Sequence, residues 1–131
     1  MTDPVALIEA ARLAAAGSYS PYSNFRVGAV VVAEDGTQFT GANVENAAFG
    51  STICAEAVAI GHAVASGARK LHTVATACLD GDDCHPCGNC RQIMREFGVE
   101  RVLVEGPGGE VVEHTLEELM PNSFGPESLG S

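Results

Sequence analysis

Two short runs limit what this chain can fold into more than anything else in it. They are Cys54-Ala55-Glu56 and, some thirty residues later, Pro86-Cys87-Gly88-Asn89-Cys90. Each run opens a stretch that reads as a helix. Cys87 and Cys90 stand at i and i+3 of one helix start, so their sulfurs share a face. Cys54 begins the other helix, and joining all three sulfurs forces two helix N-termini to converge. The unpaired N–H groups of a first turn, with the positive end of the helix dipole, favour thiolates at such a place. Three protein ligands leave one position open on a tetrahedral zinc, which marks a catalytic rather than a structural site. The spacing therefore predicts a zinc centre held by Cys54, Cys87 and Cys90. Glu56, in the same first turn as Cys54, is then the general acid/base beside the water that such a metal activates.

Three thiolates make the centre net negative and weaken zinc as a Lewis acid, so hydrogen bonds or a cation must offset them. Arg91, directly after Cys90, is the expected helper. A closed site of four thiolates is the structural alternative, with Cys78 or Cys84 as the fourth ligand; it leaves Glu56 without a task. Cys84 and His85 lie close enough in sequence to compete for the metal. A thioredoxin-like redox pair at Cys87 and Cys90 uses neither Cys54 nor Glu56, and metal is the better reading.

Composition narrows the partners. The formal net charge is -10 and only seven Lys and Arg are present, scattered along the chain. A protein that grips phosphate backbones needs a basic face, so nucleic acid is disfavoured and a small neutral substrate is favoured. No apolar run is long enough to span a membrane. Met1-Thr2-Asp3-Pro4 lacks the basic region of a signal peptide, which predicts a cytoplasmic protein with reduced cysteines. At 131 residues and 46% apolar content, one domain over residues 1–131 is expected.

Along the chain, residues 3–16 read as a helix with Asp3 as N-cap and Pro4 at N1. Residues 25–33 and 38–44 read as two strands joined by the Asp35-Gly36 turn. Residues 54–66 are a helix apolar all round, hence expected to be buried. His62 within it reads as a core or interface histidine. Strand 72–79, helix 87–97, strand 99–104 and strand 110–113 follow. Thr115 and Glu118 have capping-box spacing for a last short helix. The order α-β-β-α-β-α-β-β-α predicts the α/β class: three layers, α-β-α, around a mixed five-stranded sheet. On spacing alone, the polar group Asn43, Glu45 and Asn46 serves equally well as turn formers or as ligand contacts.

The ordered series of motifs resembles the small, homotetrameric cytidine deaminases that act on free nucleosides. It comprises Pro21 to Ala29, Gly41 to Asn46, Cys54-Ala55-Glu56, Pro86 to Gln92, and Leu119 to Gly125, within a resemblance running from Ser20 to Leu129. Zinc nucleobase deaminases carry a catalytic Glu that is not a ligand, the role the resemblance gives Glu56. It implies hydrolysis of cytidine and 2′-deoxycytidine to uridine and 2′-deoxyuridine with loss of ammonia, in pyrimidine salvage. It implies that Asn43 and Glu45 hold the ribose, that Phe25 packs on the pyrimidine, and that Glu56 and the Ala55 N–H read the base edge. Ala47 and Phe49 from one neighbouring subunit, and Phe124 from another, would complete each site in a tetramer. Two departures stand out: Ala57 where the family often has Arg, and Phe49 where Tyr is usual. Rival readings are a deaminase of a modified cytosine nucleoside, of the aminoacylnucleoside antibiotic type, and a structural zinc module that binds a protein. An RNA or DNA base editor is disfavoured by charge.

Overall fold

The computed structural model describes residues 3–81 and 83–130. Its elements are α1 (Pro4–Ala15), β1 (Val27–Ala33), β2 (Gln38–Ala42), α2 (Ala55–Ala65), β3 (Leu71–Cys78), α3 (Gly88–Glu96), β4 (Arg101–Glu105), β5 (Val111–Thr115) and α4 (Leu116–Leu119). Short 3-10 turns cover Phe49–Ser51 and Pro126–Leu129. The expected order of elements is the one observed.

The five strands form one sheet in the order β2-β1-β3-β4-β5. Only β3 and β4 run parallel, and α3 is the crossover between them. The other three pairings are antiparallel. β1, β3 and β4 are the apolar strands and lie at the centre, covered on both faces. On one face Leu7, Ile8 and Ala11 of α1 meet Val30, Val32, Ala75, Ala77 and Leu103. On the other, Ala59, Ile60 and Ala63 of α2 and Cys90 and Met94 of α3 meet Ala29, Val31, Val74, Val102 and Val104. This is the three-layer α-β-α arrangement around a mixed sheet.

Several boundaries differ from the sequence reading, each for a local reason. β1 starts at Val27 rather than residue 25, because Asn24 has φ 59° and turns the chain just before it. β2 stops at Ala42, and Val44 instead makes isolated bridges to Tyr19 and Ile53. Asp3 occupies the N-cap position of α1 but makes no side-chain cap bond, so Pro4 and the Leu7 N–H to Asp3 carbonyl bond (3.1 Å) define that start. The Thr115–Glu118 capping box forms as expected, with the Glu118 N–H donating to Thr115 Oγ1 at 3.1 Å.

α2 is apolar all round but not buried all round. Ala55, Glu56, Ala59, Ile60 and Ala63 face inward, while Gly61, His62 and Ala65 are exposed in the single chain. His62 is therefore no core residue: its ring packs edge-on against Phe39, centroids 5.2 Å apart, and its Nδ1 lies 3.2 Å from the Thr40 carbonyl. Among the described residues, no helix is long and apolar enough to cross a membrane.

Candidate metal centre and active site

Both cysteines that open helices occupy N-cap positions with extended backbone, Cys54 at φ -69°, ψ 153° and Cys87 at φ -71°, ψ 170°. Ser, Thr, Asp or Asn usually stands there and accepts first-turn N–H groups. Here sulfur takes that place, so the free donors of α2 and α3 face the cluster. Cys90 sits in the first turn of α3 and is wholly buried. The N-terminal turn of α2 reaches this point because Gly41 of β2 lets it lie directly on the sheet. A Cβ at Gly41 would collide with the Ala59 backbone nitrogen and come within 2.8 Å of the Ala55 carbonyl oxygen.

The sulfurs of Cys54, Cys87 and Cys90 all lie within 4.8 Å of one another, and Cys54 Sγ is 3.8 Å from Cys87 Sγ. A tetrahedral zinc with Zn–S bonds of about 2.3 Å sets its sulfurs ~3.8 Å apart, so the spacing fits that ion. Glu56 is 4% exposed, and its Oε1 lies 3.9 Å from Cys90 Sγ. Burial raises the Glu56 carboxyl above its ordinary range. Burial, then the charge of the neighbouring Cys87, also raises Cys54; burial, then the Glu56 charge, raises Cys90. Cys87 alone is lowered. Its burial is outweighed chiefly by the Cys90 N–H and the Cys90 and Cys54 thiols, and then by the Asn89 N–H, which approach it without full capping geometry. A site crowded with acidic groups is relieved by a bound dication, which is the second respect in which the donor set fits zinc.

Among the described residues, no fourth His, Cys, Asp or Glu joins the trio as a ligand group. Cys84 is buried, and burial and the Cys78 thiol raise it. His85 turns to Asp83 and His114. Neither competes for the centre, and the closed four-thiolate arrangement is not built. Arg91 does not hydrogen-bond a thiol: Nε donates to the Pro86 carbonyl and Nη1 to the Leu119 carbonyl, both at 2.8 Å. It fastens the loop before Cys87 to the end of α4 and brings its positive charge with it.

The remaining sequence-selected residues divide between two places. Asn43 is 9% exposed; its amide donates to the Phe25 carbonyl at 2.9 Å and its Oδ1 accepts from the Val27 N–H at 3.0 Å. Glu45 accepts the Tyr22 and Ser23 N–H groups at 3.0 and 3.1 Å and is held below the ordinary carboxylate range, chiefly by the Ser23 hydroxyl. Both are thus turn formers that shape the segment carrying Phe25. Ala55 is buried in the first turn of α2. Ala47, Phe49 and Phe124 are exposed, Phe49 to 82% and Phe124 to 58%.

Three features escaped the sequence reading. Arg26 grips Asp80 through both Nε and Nη2, at 3.0 and 2.9 Å, and its backbone N–H donates to Asp80 at 2.8 Å. Next to Asp80, Gly81 packs on the Phe25 ring: a Cβ there would fall 2.8 Å from Phe25 Cε1. The buried Thr76 hydroxyl approaches the Glu56 carboxylate but completes no hydrogen bond. No local pattern announces a pair fifty-four residues apart, though Asp80-Gly81 has turn chemistry. An open cleft of about 590 Å³ lies by the C-terminal end of α3 between Arg95, Glu100, Thr115 and Asn122. The cysteines are at the opposite end of that helix.

Residues 1–105 match the family described as the cytidine and deoxycytidylate deaminase zinc-binding region. A cytidine deaminase of Mycobacterium tuberculosis is 42% identical over 118 residues, 88% of this chain and 85% of that one. One from Sporosarcina psychrophila is 39% identical over 125 residues, 94% of this chain and 92% of its own. In structure, the cytidine deaminase of Burkholderia pseudomallei superposes with a TM-score of 0.86 at 41% identity, covering 95% of this chain and all of the other. A match over most of its length, joined to three converging cysteines beside a buried carboxyl, makes this chain a member of the cytidine and deoxycytidylate deaminase family.

Proposed function

We propose that the protein hydrolyses cytidine and 2′-deoxycytidine to uridine and 2′-deoxyuridine, releasing ammonia, as a step of pyrimidine salvage in the cytoplasm. The observation that carries this reading is a carboxyl, Glu56, buried beside three cysteine sulfurs yet not one of their number. Cys54, Cys87 and Cys90 hold the zinc, which when bound supplies a water activated at neutral pH. Glu56 takes a proton from the attacking water and places it on N3 of the pyrimidine, then carries the second proton to the amine at C4, which leaves as ammonia while C4 keeps the oxygen. Its raised affinity for the proton, caused by burial, suits a group that must both accept and return one. The Ala55 N–H, free in the first turn of α2, donates to the base edge. Phe25 covers the pyrimidine face, its ring seated on Gly81. Asn43 and Glu45 hold the ribose with the lone pairs and N–H that their turn contacts leave over. Arg91 keeps the loop before Cys87 in place.

The exposed side of α2, together with Phe49 and Phe124, supports a homotetramer in which Ala47, Phe49 and Phe124 reach neighbouring sites. Light scattering is expected to give the mass of four chains. The reaction itself is tested by counting zinc per chain and following the absorbance of cytidine with wild type and Glu56→Ala. One zinc per chain in both, with turnover only in wild type, is expected. Tight zinc with no loss of cytidine at any concentration would overturn the reading in favour of a structural module.

A further inference from the structure

A second group of metal-binding side chains lies outside the cysteine centre. His85 is in the loop between β3 and α3, and His114 is in β5, the edge strand of the sheet. Their Nε2 atoms are 3.3 Å apart, with ring centroids at 5.3 Å and planes at 51°. His85 Nδ1 is 2.7 Å from Asp83 Oδ1. A proton on Nδ1, donated to that carboxylate, leaves Nε2 as a lone pair turned toward His114. A carboxylate behind a histidine that presents its other nitrogen is how metal-ligating histidines are oriented.

The distance fits a tetrahedral zinc. It is longer than the ~2.9–3.0 Å at which protein N–H hydrogen bonds cluster. Two nitrogens on a tetrahedral zinc with bonds of about 2.0–2.1 Å stand ~3.3 Å apart; at right angles on a square-planar or octahedral metal they stand about 2.9 Å apart. The geometry points to a second zinc site, with His85 and His114 as ligands through Nε2, Asp83 orienting His85, and water completing the tetrahedron. Both rings are partly exposed, so the ion enters from solvent. Occupied, the site ties the loop that leads to Cys87 onto β5.

The test begins with holoprotein carrying one zinc per chain, dialysed against micromolar Zn²⁺ and analysed for metal. Wild type is expected to reach two zinc per chain, while His114→Gln and His85→Gln stay at one. Asp83→Asn should weaken the second site ~10–100-fold, the usual effect of losing such a carboxylate. Wild type that stops at one, or His114→Gln that takes up the second zinc as tightly as wild type, overturns the site. So does a His114→Gln protein that loses the cysteine-bound zinc as well, since the pair would then be a prop for the loop. The readout is a metal count, and it stands apart from whether the cysteine centre deaminates cytidine.

Discussion

The two faces of the sheet are docked by the same device and put to different uses. On one, a Cβ at Gly28 would collide with the backbone of Ala11 and Ala15, so α1 lies directly on β1. On the other, Gly41 lets α2 lie directly on β2 in the same way. What differs is the residue at the helix start. α1 begins at Asp3-Pro4 and contributes apolar burial through Leu7, Ile8 and Ala11. α2 and α3 begin at cysteines, and the turn after Cys54 buries a carboxyl. Close docking makes a scaffold; a thiol in place of a hydroxyl at the cap makes it a place fit to bind a metal.

The sharpest way to break that contrast is to mutate each face and read both properties. On the chemical face, Cys90→Ala should lose the zinc and all turnover, and Glu56→Gln should keep the zinc while kcat falls ~10²–10⁴-fold. On the α1 face, Leu7→Ala should cost about 2–5 kcal/mol of unfolding free energy, with zinc content and kcat unchanged. Urea unfolding, metal analysis and cytidine kinetics on the three variants decide it. Activity lost in Leu7→Ala protein that is still folded would mean the faces are not separable.

The two docking glycines give the next effect. Gly28→Ala and Gly41→Ala should each cost at least ~1–3 kcal/mol, since backbone rather than a pliant side chain must move. Only Gly41→Ala should also weaken zinc, because it displaces the turn between Cys54 and Glu56. Equal zinc affinity in the two variants would show that α2 finds its place without Gly41.

The cysteine centre was legible because its residues are scarce types at fixed spacing on helix starts. The sheet was legible because β1, β3 and β4 are apolar, β-branched runs bounded by turn residues. Two kinds of feature were not. The exposure of His62 depends on which side of a uniformly apolar helix meets the sheet, and such a helix has no polar stripe to reveal it. The tasks of Arg91, Asn43 and Glu45 depend on carbonyls and N–H groups of other segments, which only the folded backbone positions.

Ala57 offers a smaller, sharper test of the chemical face. It is partly buried in the first turn of α2, and Arg91 spends its hydrogen bonds on carbonyls, so no side-chain cation bonds a cysteine sulfur among the described residues. Ala57→Arg should make the zinc less electron-rich and raise kcat a few-fold, by roughly the ~1 kcal/mol of one charge-assisted hydrogen bond. Unchanged kcat and unchanged metal affinity would remove the thiolate-neutralisation argument.

The smallest expected effect concerns the Arg26–Asp80 clasp, which lies between the two faces in character: a surface ion pair that orders the approach to Phe25. Hydrogen bonds from the Arg26 guanidinium and backbone N–H hold Asp80 down to about 2, against 3.8 for the free group. A carboxyl whose folded pKa is depressed stabilises the fold above its unfolded value and loses that contribution as pH falls toward the folded one. The clasp's share is therefore complete above about pH 5 and fades between about pH 4 and pH 2. Asp80→Asn should unfold at slightly lower urea than wild type at neutral pH, and the gap should close on acidification; taking the difference at each pH cancels any zinc loss common to both proteins. Because Gly81 and the Phe25 ring are positioned from the same place, KM for cytidine should rise more than kcat falls. A gap that is constant with pH would show that the pair contributes no linked stability. A fall in kcat alone would show that it acts on Glu56 rather than on the seat of the base.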